Sequence, residues 1–228
     1  MWKFGNLPQI SRFPNSQMSL VYLHGFASSA QSGKASYLAE RCREAGIEFH
    51  APDLNLPDFS TLTVTRMLQQ TAALLEAAPA PVTLIGSSLG GFVAVHAAAA
   101  SPDKVQRLVL MAPALDFSDE GLSGPGGADL EAWRRAGTLD VFHFGYGRVV
   151  PVHYQLYADA RRYDAAAVTL PMPVLVFQGR RDTAVDPASV ERWARGRPNV
   201  VLHMLDDDHQ LTNSVSYIWA ELQKNLGI

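Results

Sequence analysis

Gly86-Ser87-Ser88-Leu89-Gly90-Gly91 is the stretch of this 228-residue chain whose residue types and spacing point most directly to chemistry. It holds the pattern G-x-S-x-G with Ser88 at its centre. An apolar run at 82–85 precedes it and a small-residue helical run at 89–100 follows. The serine therefore falls where a strand turns straight into a helix. So tight a turn strains the backbone of its central residue and crowds the positions two before and two after it, and both must be glycine. The Ser88 hydroxyl then projects at the edge of a sheet. The helix N-terminus beside it offers free N–H groups and a dipole that favours an oxyanion. A serine in that setting is placed to be a nucleophile. The bare pattern also occurs in ordinary glycine-rich turns, and the flanking strand and helix separate the two readings.

Acyl transfer at Ser88 needs two backbone donors aimed at the developing oxyanion. One is the N–H of Leu89, directly after the nucleophile. The other should come from a loop after an earlier strand, and Leu23-His24-Gly25-Phe26 closes the apolar run at 19–23. Phe26 N–H is in place to donate, with Gly25 allowing close backbone approach. His24 itself reads as a packing or loop-capping residue.

These loops need elements to hold them. Strands are expected at 19–23, 47–51, 82–85, 105–111, 174–177 and 199–205. Helices are expected at 34–45, 62–77, 89–100, 187–194 and 214–225. Alternating strands and helices imply an α/β chain, a parallel sheet covered on both faces with ligand sites at the carboxyl ends of its strands. The alternation stops after Pro113. A glycine-rich stretch follows (Gly121, Gly124, Gly126, Gly127), then a short helix near 130–135 and a mixed segment through Tyr163.

On His24-Gly25-Phe26 and Gly86–Gly91 the chain resembles the α/β-hydrolase superfamily, and within it the small bacterial serine esterases of the YqiA-like kind. The resemblance covers residues 18–112 and 172–226. It implies an α/β-hydrolase fold and a triad in the order serine, acid, histidine, with neither metal nor organic cofactor. The family's acid lies in a G-x-x-D-x-x-V turn. Gly179-Arg180-Arg181-Asp182-Thr183-Ala184-Val185 is similar, so Asp182 takes that place and would hold the imidazole tautomer. Asp186, directly before Pro187, suits a helix cap better. The family's base follows the last strand, which implies His209 in Asp206-Asp207-Asp208-His209-Gln210. His203 falls inside that strand, and the three aspartates read as a solvated turn.

The family's sheet has eight strands. Only about 17 residues precede the first clear strand here, so six or seven, mostly parallel, are expected, with helices on both faces. Residues 1–228 read as one domain with a small cap insertion at about 115–170. In that insertion Phe117, Trp133 and Phe144 are candidates to line the substrate pocket. The implied activity is that of a serine hydrolase of the carboxylesterase type (EC 3.1.1.-), cleaving small-molecule esters through an acyl-enzyme on Ser88. An acyl thioesterase would use the same residues, with Arg148, Arg161, Arg162, Arg180 and Arg181 as candidates for a coenzyme A phosphate. A non-catalytic ligand-binding protein on the same scaffold is the alternative outside the enzymes.

Composition excludes other classes. Hydrophobic residues make up 47% and charged residues 18%, which is globular rather than disordered. A net charge of −3 offers no basic face for nucleic acid. Cys42 is alone, so there is no internal disulfide, and no Cys/His spacing suits zinc. Gly33-Lys34 fails as a phosphate-binding loop, because Ser28 stands in place of its first glycine and Ala35 in place of its Ser/Thr. No signal-like segment and no run of about 18 apolar residues is present, so a cytoplasmic protein without membrane partners is expected, as a monomer or homodimer.

Overall fold

The structure is a computed structural model describing residues 19–79, 81–118 and 127–227. The start of the chain and three of the glycines singled out above, Gly121, Gly124 and Gly126, lie outside the described residues. The strands are β1 (Ser19–Leu23), β2 (Glu48–His50), β3 (Val82–Ser87), β4 (Val105–Met111), β5 (Thr138–His143), β6 (Arg148–His153), β7 (Val174–Gly179) and β8 (Val200–Leu205). Six of them form one parallel sheet in the order β2-β1-β3-β4-β7-β8.

The two-residue period of a strand divides the core into two layers. Val21, Leu23, Leu84, Leu108, Leu110 and Val176 face one layer. Leu20, Tyr22, Ile85, Val109, Met111 and Phe177 face the other. Helices α2 (Val64–Ala77), α3 (Leu89–Ala100) and α6 (Pro187–Ala194) cover the first layer. Helices α1 (Gly33–Glu44) and α7 (Val215–Leu226) cover the second. Each Leu, Ile or Phe buried this way contributes about 1.5–3 kcal/mol, so strands covered on both sides hold as continuous apolar runs. Caps fix where the helices begin. Ser32 accepts from Ala35 N–H, Thr63 from Arg66 N–H and Asp186 from Ala188 N–H. Nine of the twelve residues of α3 are buried, because the helix is wedged between the sheet and its neighbours.

Between β4 and β7 the chain leaves the sheet. Helix α4 (Leu130–Ala136) is capped by Asp129 and ends at Gly137, in the left-handed region with φ 76°. Among the described residues, strands β5 and β6 form a separate antiparallel pair, and α5 (Gln155–Ala160) follows. The hairpin and α5 occupy what reads in the sequence as a mixed segment. Trp133 corrects a second expectation. It is 2% exposed, its indole N–H donates to Val152 O at 3.1 Å, and it packs in the first core layer. It joins α4 to the hairpin and is not among the residues lining the cavity beside Ser88 described below.

The strand order decides where a ligand can sit. The chain runs from β1 out to β2, then returns to place β3 on the other side of β1. The loops leaving the carboxyl ends of β1 and β3 diverge there and open a crevice.

Candidate active site

Ser88 stands at that crevice with φ 53° and ψ −122°, a conformation that costs a non-glycine residue about 1–3 kcal/mol. The fold holds it there on three sides. Its N–H donates to Met111 O at 3.0 Å, and its carbonyl accepts from Gly91 N–H at 2.8 Å and Ala114 N–H at 3.1 Å. The flanking glycines are required by contact. A Cβ on Gly86 would lie 2.7 Å from Ala94 Cβ, and one on Gly90 would lie 2.6 Å from His24 O.

The loop after β1 is pinned from beneath and from the side. His24 is buried; its Nε2 accepts from Leu54 N–H at 3.0 Å, so the proton sits on Nδ1, which donates to Gly25 O at 2.9 Å. Asn55 donates to Ser28 O at 2.8 Å. The β5–β6 turn reaches over the same loop, where Phe144 N–H donates to Ala27 O at 2.8 Å. Phe26 and Leu89 therefore both face the crevice. Leu89 opens α3, so its N–H has no partner within the helix.

Asp182 is 7% exposed, yet its carboxylate is fully engaged. Oδ1 accepts from Ala184 N–H at 2.8 Å and Val185 N–H at 2.9 Å. Oδ2 accepts from His209 Nδ1 at 2.8 Å and from Gln178 Nε2 at 2.9 Å. Burial alone would raise its pKa. The bonds from His209, Val185 and Gln178 outweigh burial and hold the carboxyl below its ordinary value. With Nδ1 occupied, Nε2 is the His209 nitrogen left to exchange a proton.

Gly179 lets the two turns meet, since a Cβ there would lie 2.5 Å from Asp207 O and Asp208 O. Of the three aspartates before the histidine, Asp206 and Asp208 are exposed, as a solvated turn implies, and Asp207 is buried. Asp206 pairs with Arg181, Asp208 accepts from Gln210 N–H at 2.8 Å, and Asp207 is 1% exposed, taking Asp208 N–H at 2.9 Å. Asp186 and His203 stand elsewhere, the first capping α6 and the second stacked on Phe177.

Ser88 and His209 open on one cavity of about 1080 Å³. Phe26, Leu89, Phe117, Phe144 and Val185 supply its apolar wall, and Ser29, Gln31, Lys34 and Tyr37 its polar one. None of the five arginines considered for a coenzyme A phosphate lines it. Two residues at the site were not read from the sequence. Gln178 ends an otherwise apolar strand directly before the acid turn, and a lone amide there was the signal. Lys34 lies in the first turn of α1, where a cation opposes the helix dipole and needs another partner.

The sequence model of the uncharacterised protein family UPF0227 matches residues 19–223. The chain belongs to this family. Among its relatives, the pimeloyl-[acyl-carrier protein] methyl ester esterase of Methylococcus capsulatus is 29% identical over 227 residues, 82% of this chain and 85% of that protein. The mitochondrial palmitoyl-protein thioesterase ABHD10 of Mus musculus is 30% identical over 118 residues, 48% of this chain and 40% of that protein. Among solved structures, Est1E from Butyrivibrio proteoclasticus with bound ferulic acid superposes with a TM-score of 0.82 at 18% identity, over 97% of this chain and 92% of that one. The mouse alpha/beta hydrolase domain-containing protein 10 gives 0.79 at 20% identity, over 99% and 98%. This UPF0227 chain thus has the α/β-hydrolase fold that its motifs resemble, and its relatives support a hydrolase of the esterase or thioesterase kind. No helix among its described residues is long and apolar enough to cross a membrane.

Proposed function

We propose that the chain is a serine carboxylesterase acting on small-molecule esters through a Ser88–His209–Asp182 triad. The observation that carries this reading is the buried Asp182 carboxylate bonded to His209 Nδ1, beside a serine on a strained turn facing the same cavity. His209 Nε2 takes the Ser88 proton as Oγ attacks the ester carbonyl carbon, and Asp182 stabilises the imidazolium that forms. The N–H groups of Phe26 and Leu89 hold the oxyanion. Collapse breaks the bond to the leaving alcohol, which takes the proton from His209. Water, deprotonated by His209, then attacks the acyl-enzyme, releases the acid and restores Ser88. The segment at 115–170 serves as a cap whose Phe117 and Phe144 meet the acyl group.

Thioester cleavage is the second reading, favoured by the ABHD10 likeness in both sequence and fold. Steady-state rates on p-nitrophenyl esters of increasing chain length, beside matched acyl thioesters, decide between them. The ester reading expects kcat/KM to be highest on short or medium esters and to fall by several orders of magnitude in Ser88→Ala. Higher kcat/KM on thioesters moves the assignment to a thioesterase, and turnover that survives Ser88→Ala overturns the mechanism.

A further inference from the structure

Among the described residues, Lys34 is the only lysine or arginine that lines the cavity, and no carboxylate does. Lys34 projects from the first turn of α1, and its Nζ donates to Gln210 O at 3.0 Å and His209 O at 3.4 Å. These carbonyls belong to the base and the residue after it, whereas Lys34 stands on α1, the element that follows the loop after β1. The loop bearing the imidazole is held at its start by Asp207 and Asp208, and at the imidazole by Asp182. The lysine adds a tie from α1 to the loop that bears the imidazole.

We propose that Lys34 is a positioning residue for the base, its ammonium fixing the His209 main chain so that the imidazole stays aligned between Asp182 and Ser88. The role rests on the triad reading above. It also explains a cation in the first turn of a helix, where the dipole disfavours it: charge-assisted bonds to two carbonyls offset that repulsion.

The tie is sensitive to pH. Burial lowers the Lys34 pKa from 10.5 to about 8, opposed by the charges of Asp182, Asp208 and Asp207. Tyr22 from β1 and Tyr37 from α1 face the same cavity, and burial pushes the Tyr22 phenol up, away from this range. α7 contributes the apolar Val215. As pH rises through about 8 the ammonium loses its charge. The bonds to the carbonyls then weaken, and the rate declines.

The test measures kcat and KM for p-nitrophenyl butyrate from pH 6 to 10 in the full chain, in Lys34→Met and in Lys34→Arg, with thermal unfolding of each. Lys34→Met is expected to lower kcat about 10- to 100-fold, the scale of a misplaced catalytic group, with KM within about twofold. It should also lose the decline near pH 8. Lys34→Arg, whose guanidinium stays charged, should recover most of kcat and hold its rate to higher pH. An unaltered kcat and alkaline decline in Lys34→Met, in an enzyme whose turnover depends on Ser88, overturns the role of Lys34 alone. Equal losses in both variants, tracking a fall in unfolding temperature and with the wild-type pH profile, also overturn it. Absence of Ser88-dependent turnover in the unaltered chain overturns the triad, and this role with it.

Discussion

The carboxyl edge of the sheet and the segment between β4 and β7 meet over the same cavity, but they are built on different terms. On the sheet side, close backbone contact fixes almost every position. Gly86, Gly90 and Gly179 lie where a single methyl group would collide, and Ser88 and Asp182 are each bonded several ways. On the other side the β5–β6 hairpin forms its own two-stranded sheet among the described residues and presents Phe142, Phe144, Tyr146 and Val149 to solvent, with Phe144 75% exposed. Its other face packs into the first core layer through Val150 and Val152, Phe144 N–H bonds Ala27 O, and Asp159 of α5 accepts from Thr65 N–H at 2.7 Å. Under the proposed function this is a division of labour: groups that must hold an angle sit on parallel strands ended by glycine turns, and groups proposed to meet the variable part of a substrate sit on the excursion between β4 and β7.

That contrast can be broken or sharpened by substitution. The largest effect is expected at Asp182. Asp182→Asn presents an amide to His209 Nδ1, selects the wrong tautomer and should lower kcat by about three to four orders of magnitude with the fold kept. Steady-state rates, with circular dichroism for the fold, check it. The same carboxyl carries a pH signature. Because its pKa is held below the ordinary value, its contribution to stability is complete above the unfolded-chain value of about 3.9 and is lost as pH falls through the lower folded value. Denaturant unfolding between pH 2 and 6 should show that acid limb in the unaltered chain and a shallower one in the variant.

The next effect lies in the excursion's packing. Trp133→Ala removes a 2%-exposed indole and its bond to Val152 O, and should cost about 3–5 kcal/mol in urea unfolding. Since Trp133 lies outside the cavity, kcat on a short ester should move little. A large loss of kcat at retained stability would erase the division drawn here. The smallest effect is expected at Phe144 on the cavity rim. Phe144→Ala should raise KM about 3- to 10-fold for longer acyl esters and leave acetate nearly unaffected, because only part of the ring's apolar surface meets a substrate. Equal changes for both chain lengths would place Phe144 in the structure of the oxyanion loop and not in acyl recognition.

The same division governs what could be read from the sequence. The six sheet strands and their helices stand close to their expected positions, because a parallel strand buried on both faces leaves an unbroken apolar run such as Leu108-Val109-Leu110-Met111. Ser88 and Leu89 are candidates on one turn whose strain dictates its glycines, Phe26 on the glycine loop after β1, and Asp182 and His209 on the resemblance those motifs carry. The hairpin was illegible for physical reasons. Phe142 points to solvent, breaking the alternation in Thr138-Leu139-Asp140-Val141-Phe142-His143, and Pro151 argues against a strand except at an edge. Trp133 reads in the sequence as a pocket residue because an aromatic in this excursion serves packing and lining equally well, and its burial separates the two. Lys34 reads only against a phosphate loop, since its partners lie 175 and 176 residues away in the chain.

The central claim is that Ser88 is a nucleophile activated through His209. It is tested most directly by treating the chain and its Ser88→Ala variant with a fluorophosphonate, then measuring intact mass and mapping the modified peptide. The account predicts one adduct per chain, located on Ser88 and absent from the variant. A folded chain that takes no adduct, or takes it on another residue with Ser88→Ala labelled equally well, would contradict it.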